Sequence, residues 1–255
     1  MYFDSHAHYD NPQYDKDRDA LLNSFPSQGI GAVINIGYDL TSSKAAIALA
    51  EAYPFVYAAV GVHPHDVKDT SEAEMQMLAE LSKHKKVVAI GEIGLDFHYD
   101  HSPRDLQRHW FRRQLQLANE LALPVVIHSR EAAQECFDII STSGVTTTKG
   151  VLHCYSGHLP MALEYIKIGF YIAIGGTVTY KNAAKTKEVA AGIPLERMLI
   201  ETDAPYLSPV PFRGKRNDST KLPLIAETIA ELRSISVKQV AEATYTNTER
   251  LFSTV

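Results

Sequence analysis

The strongest constraint on the fold is a pattern that recurs along the whole chain: a short apolar run rich in β-branched residues, then a longer segment with helical spacing. In one such segment Leu106, Trp110, Leu117 and Leu121 share one face and polar residues fill the other. Apolar strands that alternate with helices form a parallel sheet covered by helices. The apolar runs are Tyr2–Asp4, Ala32–Ile36, Val56–Val60, Val87–Ile90, Val125–Ile127, Gly150–Leu152, Phe170–Ile174 and Met198–Ile200. Eight repeats predict an α/β protein closed into a TIM (β/α)8 barrel.

The length of 255 residues fits either one barrel or two small domains. With 45% hydrophobic and 22% charged residues the chain can bury a core, which excludes disorder. The alternative architecture is an open doubly wound sheet, but no Gly-x-Gly-x-x-Gly follows the first run and no linker rich in Pro, Gly or Ser divides the chain. We therefore predict a single domain over residues 1–255.

Composition also bears on the compartment and the partners. The first residues lack a cationic and apolar leader, no apolar run is long enough to cross a bilayer, and the two cysteines do not form a disulfide framework. These features predict a cytoplasmic protein without a membrane association. A net charge of −5 excludes coating of nucleic acid by bulk positive charge, so any polyanion must be held locally.

Residues able to bind metals follow five of the eight runs. Because the carboxyl ends of barrel strands meet at one mouth, these side chains are expected to converge. The set comprises His6, His8, Glu92, His128, His153 and Asp203. One or two divalent cations are therefore predicted at this mouth.

The spacing within the set suggests individual roles. His6 and His8 lie two apart, so both imidazoles leave one side of a strand, although an H-x-H near a terminus is often only a surface feature. Glu92 has two oxygens with which to bridge two cations, or it forms a salt bridge or caps a helix; the glycines beside it favour a close backbone approach to a ligand. His128 and His153 are each the first polar residue after an apolar run, where a buried histidine would otherwise need a partner.

Two carboxylates follow the last run. Asp203 is predicted to touch a metal and to accept the proton of the attacking water, which makes it, with Glu92, a catalytic candidate. Glu201 lies two residues earlier on the same face and is a ligand, an orienter of a ligand or a structural partner.

Other residues are candidates for contacting substrate. His63 and His65 follow the third run with the spacing of the first histidine pair, although His65 also fits a solvated loop. A loop after the last run carries Arg213, Lys215 and Arg216, at the place where barrels often hold phosphate; the alternative is a solvated basic loop. Aromatic side chains in neighbouring loops, which suit stacking on bases, are Tyr99, Tyr155, Tyr206 and Phe212.

A divalent ion lowers the pKa of bound water from about 15.7 to roughly 7, so hydrolysis is the predicted reaction. A serine nucleophile is disfavoured because the chain has no Gly-x-Ser-x-Gly. Cys154 alternates with His153 and is predicted to point away from the mouth into the core.

The motifs His6-Ala7-His8, Gly91-Glu92-Ile93-Gly94-Leu95-Asp96, His128-Ser129-Arg130, His153-Cys154-Tyr155-Ser156-Gly157 and Glu201-Thr202-Asp203-Ala204-Pro205-Tyr206-Leu207 resemble, in this order, those of the TatD family of metal-dependent deoxyribonucleases. The resemblance implies a TIM barrel of the amidohydrolase-like superfamily with two divalent ions that removes nucleotides from DNA ends. It implies that His6 and His8 hold one metal, that His128 and His153 hold the other, that Glu92 bridges, and that Asp203 binds metal and activates water. Many superfamily relatives that cleave C–N bonds have a carboxylated lysine where this chain has Glu92, which favours phosphoester chemistry.

Two alternatives stay open. The same site suits an amidohydrolase or esterase acting on a small amide, a cyclic ureide or an aminoacyl ester. A non-enzymatic, metal-dependent binding module is disfavoured because open coordination positions suit chemistry. The donor set accepts zinc, manganese, nickel or iron, and magnesium where carboxylates and water dominate. DNA or another phosphodiester is the predicted partner, and the protein is predicted to be a monomer without an obligate protein partner.

Overall fold

The computed structural model describes residues 1–143 and 149–253. Its eight strands form one parallel sheet in sequential order, each strand pairing with the next along the chain. The strands are β1 (Tyr2–Ala7), β2 (Ile30–Ile36), β3 (Val56–Val60), β4 (Val87–Asp96), β5 (Val125–Arg130), β6 (Gly150–Leu152), β7 (Tyr171–Ile174) and β8 (Met198–Ile200). This order is that of a β/α barrel.

Helices follow the strands and cover the outside of the sheet. They are α1 (Arg18–Ser24), α2 (Leu40–Ala52), α3 (Glu72–Leu81), α4 (Arg104–Glu120), α5 (Ala133–Thr142), α6 (Leu159–Lys167), α7 (Ala184–Gly192), α8 (Leu222–Arg233) and α9 (Val237–Phe252). Three of them, α2, α3 and α9, begin with capping boxes that pair otherwise unsatisfied backbone amides. No helix in the two described stretches has the length and hydropathy needed to span a bilayer.

The barrel closes where the first strand meets the segment after the last one. Ala7 pairs in parallel with Ala204, the amide of His8 donates to the carbonyl of Ala204 over 2.7 Å, and the amide of Asp203 donates to the carbonyl of His6 over 2.9 Å. The predicted TIM barrel is therefore confirmed. Closure places the first site motif, at His6 and His8, beside the last, at Asp203.

Alternation along the strands separates an inner from an outer core. The inner cluster includes Val126, Val151 and Leu199, whereas the next residues along the chain pack outward against the helices. Because successive side chains on a strand alternate, residues two positions later return to the inside. His128, His153 and Glu201 are therefore the top layer of the barrel interior.

Strand β4 is longer than its apolar run predicts. We expected Glu92 after a strand ending at Ile90, but β4 continues to Asp96 and pairs with β5 as far as Arg130. Gly94 permits this pairing: its φ is +144°, and a Cβ there would lie 1.9 Å from the carbonyl oxygen of His128. The glycines beside Glu92 thus allow close approach of a neighbouring strand, a role that the sequence interpretation did not include.

Candidate metal centre

The predicted residues converge at the carboxyl end of the barrel, in a cavity of about 730 Å³. Its lining includes His8, Glu92, His128, His153 and Asp203. His6 lies immediately beneath them and is fully buried. The structure therefore brings together the side chains that the sequence singled out as ligands, and the geometry adds which atoms face one another.

Four atoms from three segments face a common point. The Nε2 atoms of His6 and His8 are 3.1 Å apart, and Asp203 Oδ1 lies 3.6 Å from each. Glu92 Oε2 is 3.4 Å from His6 Nε2 and 3.9 Å from His8 Nε2. His8 uses its other ring nitrogen, Nδ1, to bond the carbonyl of Ile36 over 2.9 Å, which leaves the Nε2 lone pair directed at the shared point. We call these four atoms the first donor set.

The other oxygen of Glu92 faces a second set. Glu92 Oε1 lies 2.7 Å from His153 Nε2, 2.9 Å from His128 Nδ1 and 3.5 Å from His63 Nε2. His128 Nδ1 and His153 Nε2 are 3.3 Å apart. One carboxylate thus presents a different oxygen to each of two groups of nitrogens, the arrangement expected of a bridge. We call these four atoms the second donor set.

Asp96 holds the second set from behind and was missed by the sequence reasoning. Its Oδ2 lies 3.0 Å from His128 Nε2 and 2.9 Å from His65 Nε2, and its Oδ1 accepts the amides of His98 and Tyr99. The spacing could have revealed it: Asp96 follows Glu92 by four residues, an even number, so both side chains leave the same face of one extended strand. Asp96 fixes which nitrogen of His128 faces the cavity.

The carboxylates at the mouth carry negative charge, which requires positive charge nearby. In the part of the chain that the structure describes, no Lys or Arg forms an ion pair with Glu92, Glu201 or Asp203. Burial raises the pKa of Glu92, but His153 and the other surrounding histidines outweigh it and hold this pKa well below its usual range. Burial likewise opposes ionisation of Asp203, yet its hydrogen bond to His8 lowers its pKa. Both side chains are therefore carboxylates whose charge is offset by histidines rather than by a Lys or Arg, and divalent ions bound by those histidines would offset it instead.

The two histidines after β3 occupy different places. His63 belongs to the second donor set, because its Nε2 lies 3.5 Å from Glu92 Oε1. Its Nδ1 accepts the amide of His65 over 3.2 Å. The His65 side chain is 25% exposed and lines the cavity while bonding Asp96, so it is not a free loop residue.

Two of the predicted substrate contacts, Tyr155 and Arg216, are already engaged within the protein. Tyr155 is 5% exposed and donates its hydroxyl to the carbonyl of His158 over 3.0 Å, so it cannot stack on a base. Arg216 forms two hydrogen bonds with Asp17 and lies over the ring of Tyr14, so its guanidinium is engaged. The sequence does not reveal how exposed either side chain is.

Arg213 and Lys215 are cations at the surface. They line a second cavity of about 530 Å³, which shares Tyr206 with the mouth, and Arg213 lies 4.6 Å above the ring of Tyr180. Arg216, although paired with Asp17, lines the same second cavity. The residues that line this cavity include no Asp or Glu. Tyr99 and Tyr206 line the mouth, and each is about half exposed.

Cys154 is not a core residue. Its φ is +43°, which interrupts the alternation on which that prediction depended, and it is partly exposed. Burial, together with Asp203 and Glu201, raises the pKa of its thiol well above the usual value. It is therefore a thiol rather than a thiolate, which agrees with the prediction that it is not the nucleophile.

Comparison with known proteins places these motifs in a family. Residues 3–253 match the family model described as TatD related DNase. The chain is 43% identical over 252 residues to an uncharacterised metal-dependent hydrolase of Bacillus subtilis, YabD, and covers 99% of both sequences. It is 35% identical over 255 residues to a Citrobacter rodentium protein named 3'-5' ssDNA/RNA exonuclease TatD, covering 98% of this chain and 97% of the relative.

A solved structure agrees. The crystal structure of YjjV, a TatD homologue from Escherichia coli, superposes with a TM-score of 0.94 at 33% identity, covering 100% of this chain and 98% of that one.

Proposed function

Because the chain belongs to the TatD-related DNase family of metal-dependent hydrolases, we propose that it is a deoxyribonuclease that hydrolyses phosphodiester bonds from the ends of DNA. The observation that carries this proposal is Glu92, whose two oxygens face two separate sets of imidazole nitrogens. The Citrobacter relative is named for single-stranded DNA and RNA, and we extend that substrate class to this chain. We also propose that residues 1–255 act as one cytoplasmic catalytic domain in a monomer.

Two divalent ions fit the residues present. The first would be held by His6, His8 and Asp203, and the second by His128 and His153, with Glu92 between them. The convergence of lone pairs in each donor set, and the absence of any Lys or Arg ion pair to the carboxylates in the described chain, support this assignment. Because imidazole predominates, zinc, manganese or nickel suit the site better than magnesium.

Bound ions would supply Lewis-acid polarisation of a phosphoryl oxygen and a nucleophilic water at neutral pH. The chain's own residues supply the proton acceptor and the orientation. The Asp203 side chain is 15% exposed against 5% for Glu92, so Asp203 faces the mouth where an attacking water arrives. We propose that Asp203 accepts the proton of that water and that Glu92, enclosed by histidines, acts only as the bridge.

The second cavity supports a polymeric anion over a small amide. The two cavities share Tyr206, so a chain whose terminal phosphodiester lies at the donor sets has a path past this residue to a cavity that offers Arg213 and Lys215 without a lining carboxylate. Cations attract the negative charge of a phosphate backbone. A small neutral amide has no use for a second, cationic cavity.

The test is degradation of end-labelled single-stranded and duplex DNA by metal-stripped protein to which magnesium, manganese or zinc is restored. We expect metal-dependent shortening of the strand, and loss of at least ~10²-fold in rate in Asp203→Asn because the proton acceptor is removed. Glu242→Gln, an exposed acid on α9, is the matched control and should retain the wild-type rate. Tight metal binding without cleavage of any DNA would refute the nuclease and favour an amide or ester substrate.

A further inference from the structure

Glu201 lies on the opposite side of the ligand histidines from Glu92. It is fully buried, and its Oε1 accepts the backbone amide of Cys154 over 2.6 Å. The same oxygen is 3.4 Å from Nδ1 of His153, whose Nε2 faces Glu92. Glu201 therefore approaches His153 from the side that the proposed ion does not occupy.

Three buried atoms around Glu201 have no hydrogen-bond partner in the described chain: Nδ1 of His6, Nδ1 of His153 and Oε2 of Glu201. One polar atom from each of these three residues lies within 4.8 Å of the others. Two of the unpaired atoms are imidazole nitrogens that can carry a proton, and the third is a carboxylate oxygen that accepts one. Because buried polar groups are rarely left unpaired, we expect the two nitrogens to donate to the carboxylate oxygen.

The two imidazoles present the same edge to Glu201. The rings of His6 and His153 stack with centroids 3.9 Å apart and planes 14° apart. Nε2 of each ring faces Glu92, so Nδ1 of each ring is turned away from the donor sets. A single carboxylate at that edge can accept a hydrogen bond from both.

We infer that Glu201 is a positioning residue shared by both donor sets, which accepts Nδ1–H from His6 and from His153 and thereby holds both Nε2 lone pairs toward the cavity. The inference rests on the proposed metal centre. A ligand histidine commonly donates its other ring nitrogen to a carboxylate or carbonyl, which fixes its tautomer.

The other ligand histidines have separate partners for this purpose. His8 bonds the carbonyl of Ile36, and His128 bonds Asp96. Glu201, by contrast, has a carboxylate oxygen within 4.8 Å of a ring nitrogen of one histidine of the first set, His6, and of one histidine of the second, His153. Its loss should therefore weaken both sites together, whereas loss of Asp96 should weaken one.

A third ion held by His6, His153 and Glu201 is the competing explanation. The amide of Cys154 argues against it, because an N–H directed at Oε1 places positive charge where the cation would lie. The carboxylate is thus already arranged to accept hydrogen bonds rather than to bind a metal.

The experiment compares Glu201→Gln with Asp96→Asn, its matched control, in zinc-titrated protein without DNA. ¹⁵N-edited NMR of the zinc-loaded wild type should show exchange-protected Nδ1–H protons on His6 and His153. Glu201→Gln should lose both signals and bind both ions ~10- to 100-fold more weakly. Asp96→Asn should lose the Nε2–H signal of His128 but keep those of His6 and His153.

Glu201→Asp, one methylene shorter with the charge kept, should give the same losses and provides a second variant if the amide impairs folding, which circular dichroism reports. Retention of both signals and of zinc affinity within twofold, loss at only one histidine, or binding of three zinc ions to the wild type would each overturn the inference. Because no readout uses DNA, a failure of the nuclease proposal is separate: it would leave the NMR pattern intact while cleavage is absent.

Discussion

Gly94→Ala is the substitution whose effect follows most directly from the geometry. The new Cβ would lie 1.9 Å from the carbonyl oxygen of His128, whereas ordinary contact begins at 3.4 Å, a shortfall of about 1.5 Å. The oxygen belongs to the backbone of one strand and the position of the Cβ is fixed by the backbone of the paired strand, so no side-chain rotation can relieve the contact. β4 and β5 must separate where Glu92 and His128 face each other.

The size of the effect can be worked from that displacement. A misplacement of about 1 Å in a catalytic constellation costs roughly 10²-fold in rate. Overpacking costs about 1–3 kcal/mol and left-handed backbone strain about 1–2 kcal/mol, or roughly 2–5 kcal/mol together. At about 2–4 °C per kcal/mol for a chain of this size, Tm should fall by roughly 4–20 °C.

The control is Gly169→Ala, at a φ of +96° with nothing within 4 Å of its Cβ. It carries the backbone strain without the contact, so we expect a fall in Tm of only a few degrees and unchanged zinc affinity. Thermal unfolding and zinc titration of both variants separate strain from displacement. If zinc affinity in Gly94→Ala lies within twofold of that in Gly169→Ala, the argument that this glycine positions the centre is refuted.

Three further predictions concern other parts of the chain. Arg213→Ala with Lys215→Ala should weaken DNA binding and reduce the slope of log affinity against log salt by about 1–2, whereas Arg216→Ala should leave that slope unchanged because its guanidinium already pairs with an acid; fluorescence anisotropy measures both. Tyr155→Phe should lower the free energy of unfolding by about 1 kcal/mol, since one buried hydrogen bond is lost, without a change in DNA affinity; urea unfolding beside anisotropy checks this. Burial raises the pKa of Cys136 from 9.0 to about 12, so its contribution to stability is complete below pH 9 and is lost toward pH 12 as the unfolded thiol ionises first. The wild type should therefore lose about 1.4 kcal/mol per pH unit more than Cys136→Ala between pH 9.5 and 11, and equal slopes in urea unfolding would contradict this.

The barrel and the converging residues could be predicted because both depend on alternation. Apolar runs separated by amphipathic segments gave the strands, and the first polar residue after Ile127 or Leu152 falls on the inner face by the same parity that buries Val126 and Val151. These are local properties of the sequence. They need no knowledge of distant contacts.

The features that could not be predicted depend on tertiary contacts. Arg216 looks like a free cation in the sequence, but its partner Asp17 is about 200 residues away. Tyr155 is buried because it packs into the main hydrophobic core, which its local sequence does not show. Asp96 follows a glycine that lets β4 continue past its apolar run, and strand length is set by the neighbouring strand rather than by composition. Cys154 departs from alternation through a positive φ that its own side chain does not require.

The closure of the barrel at Ala7 and Ala204 has a consequence for the growing polypeptide. Glu92, His128 and His153 are synthesised within one stretch of about sixty residues. Asp203, which joins His6 and His8 in the first donor set, is synthesised only after most of the chain has been made. An unfinished chain therefore carries one half of the centre without the acid that we propose as its proton acceptor. We expect that a cell synthesising this enzyme holds no active nuclease on its ribosomes, because activity begins only when the last strand joins the first.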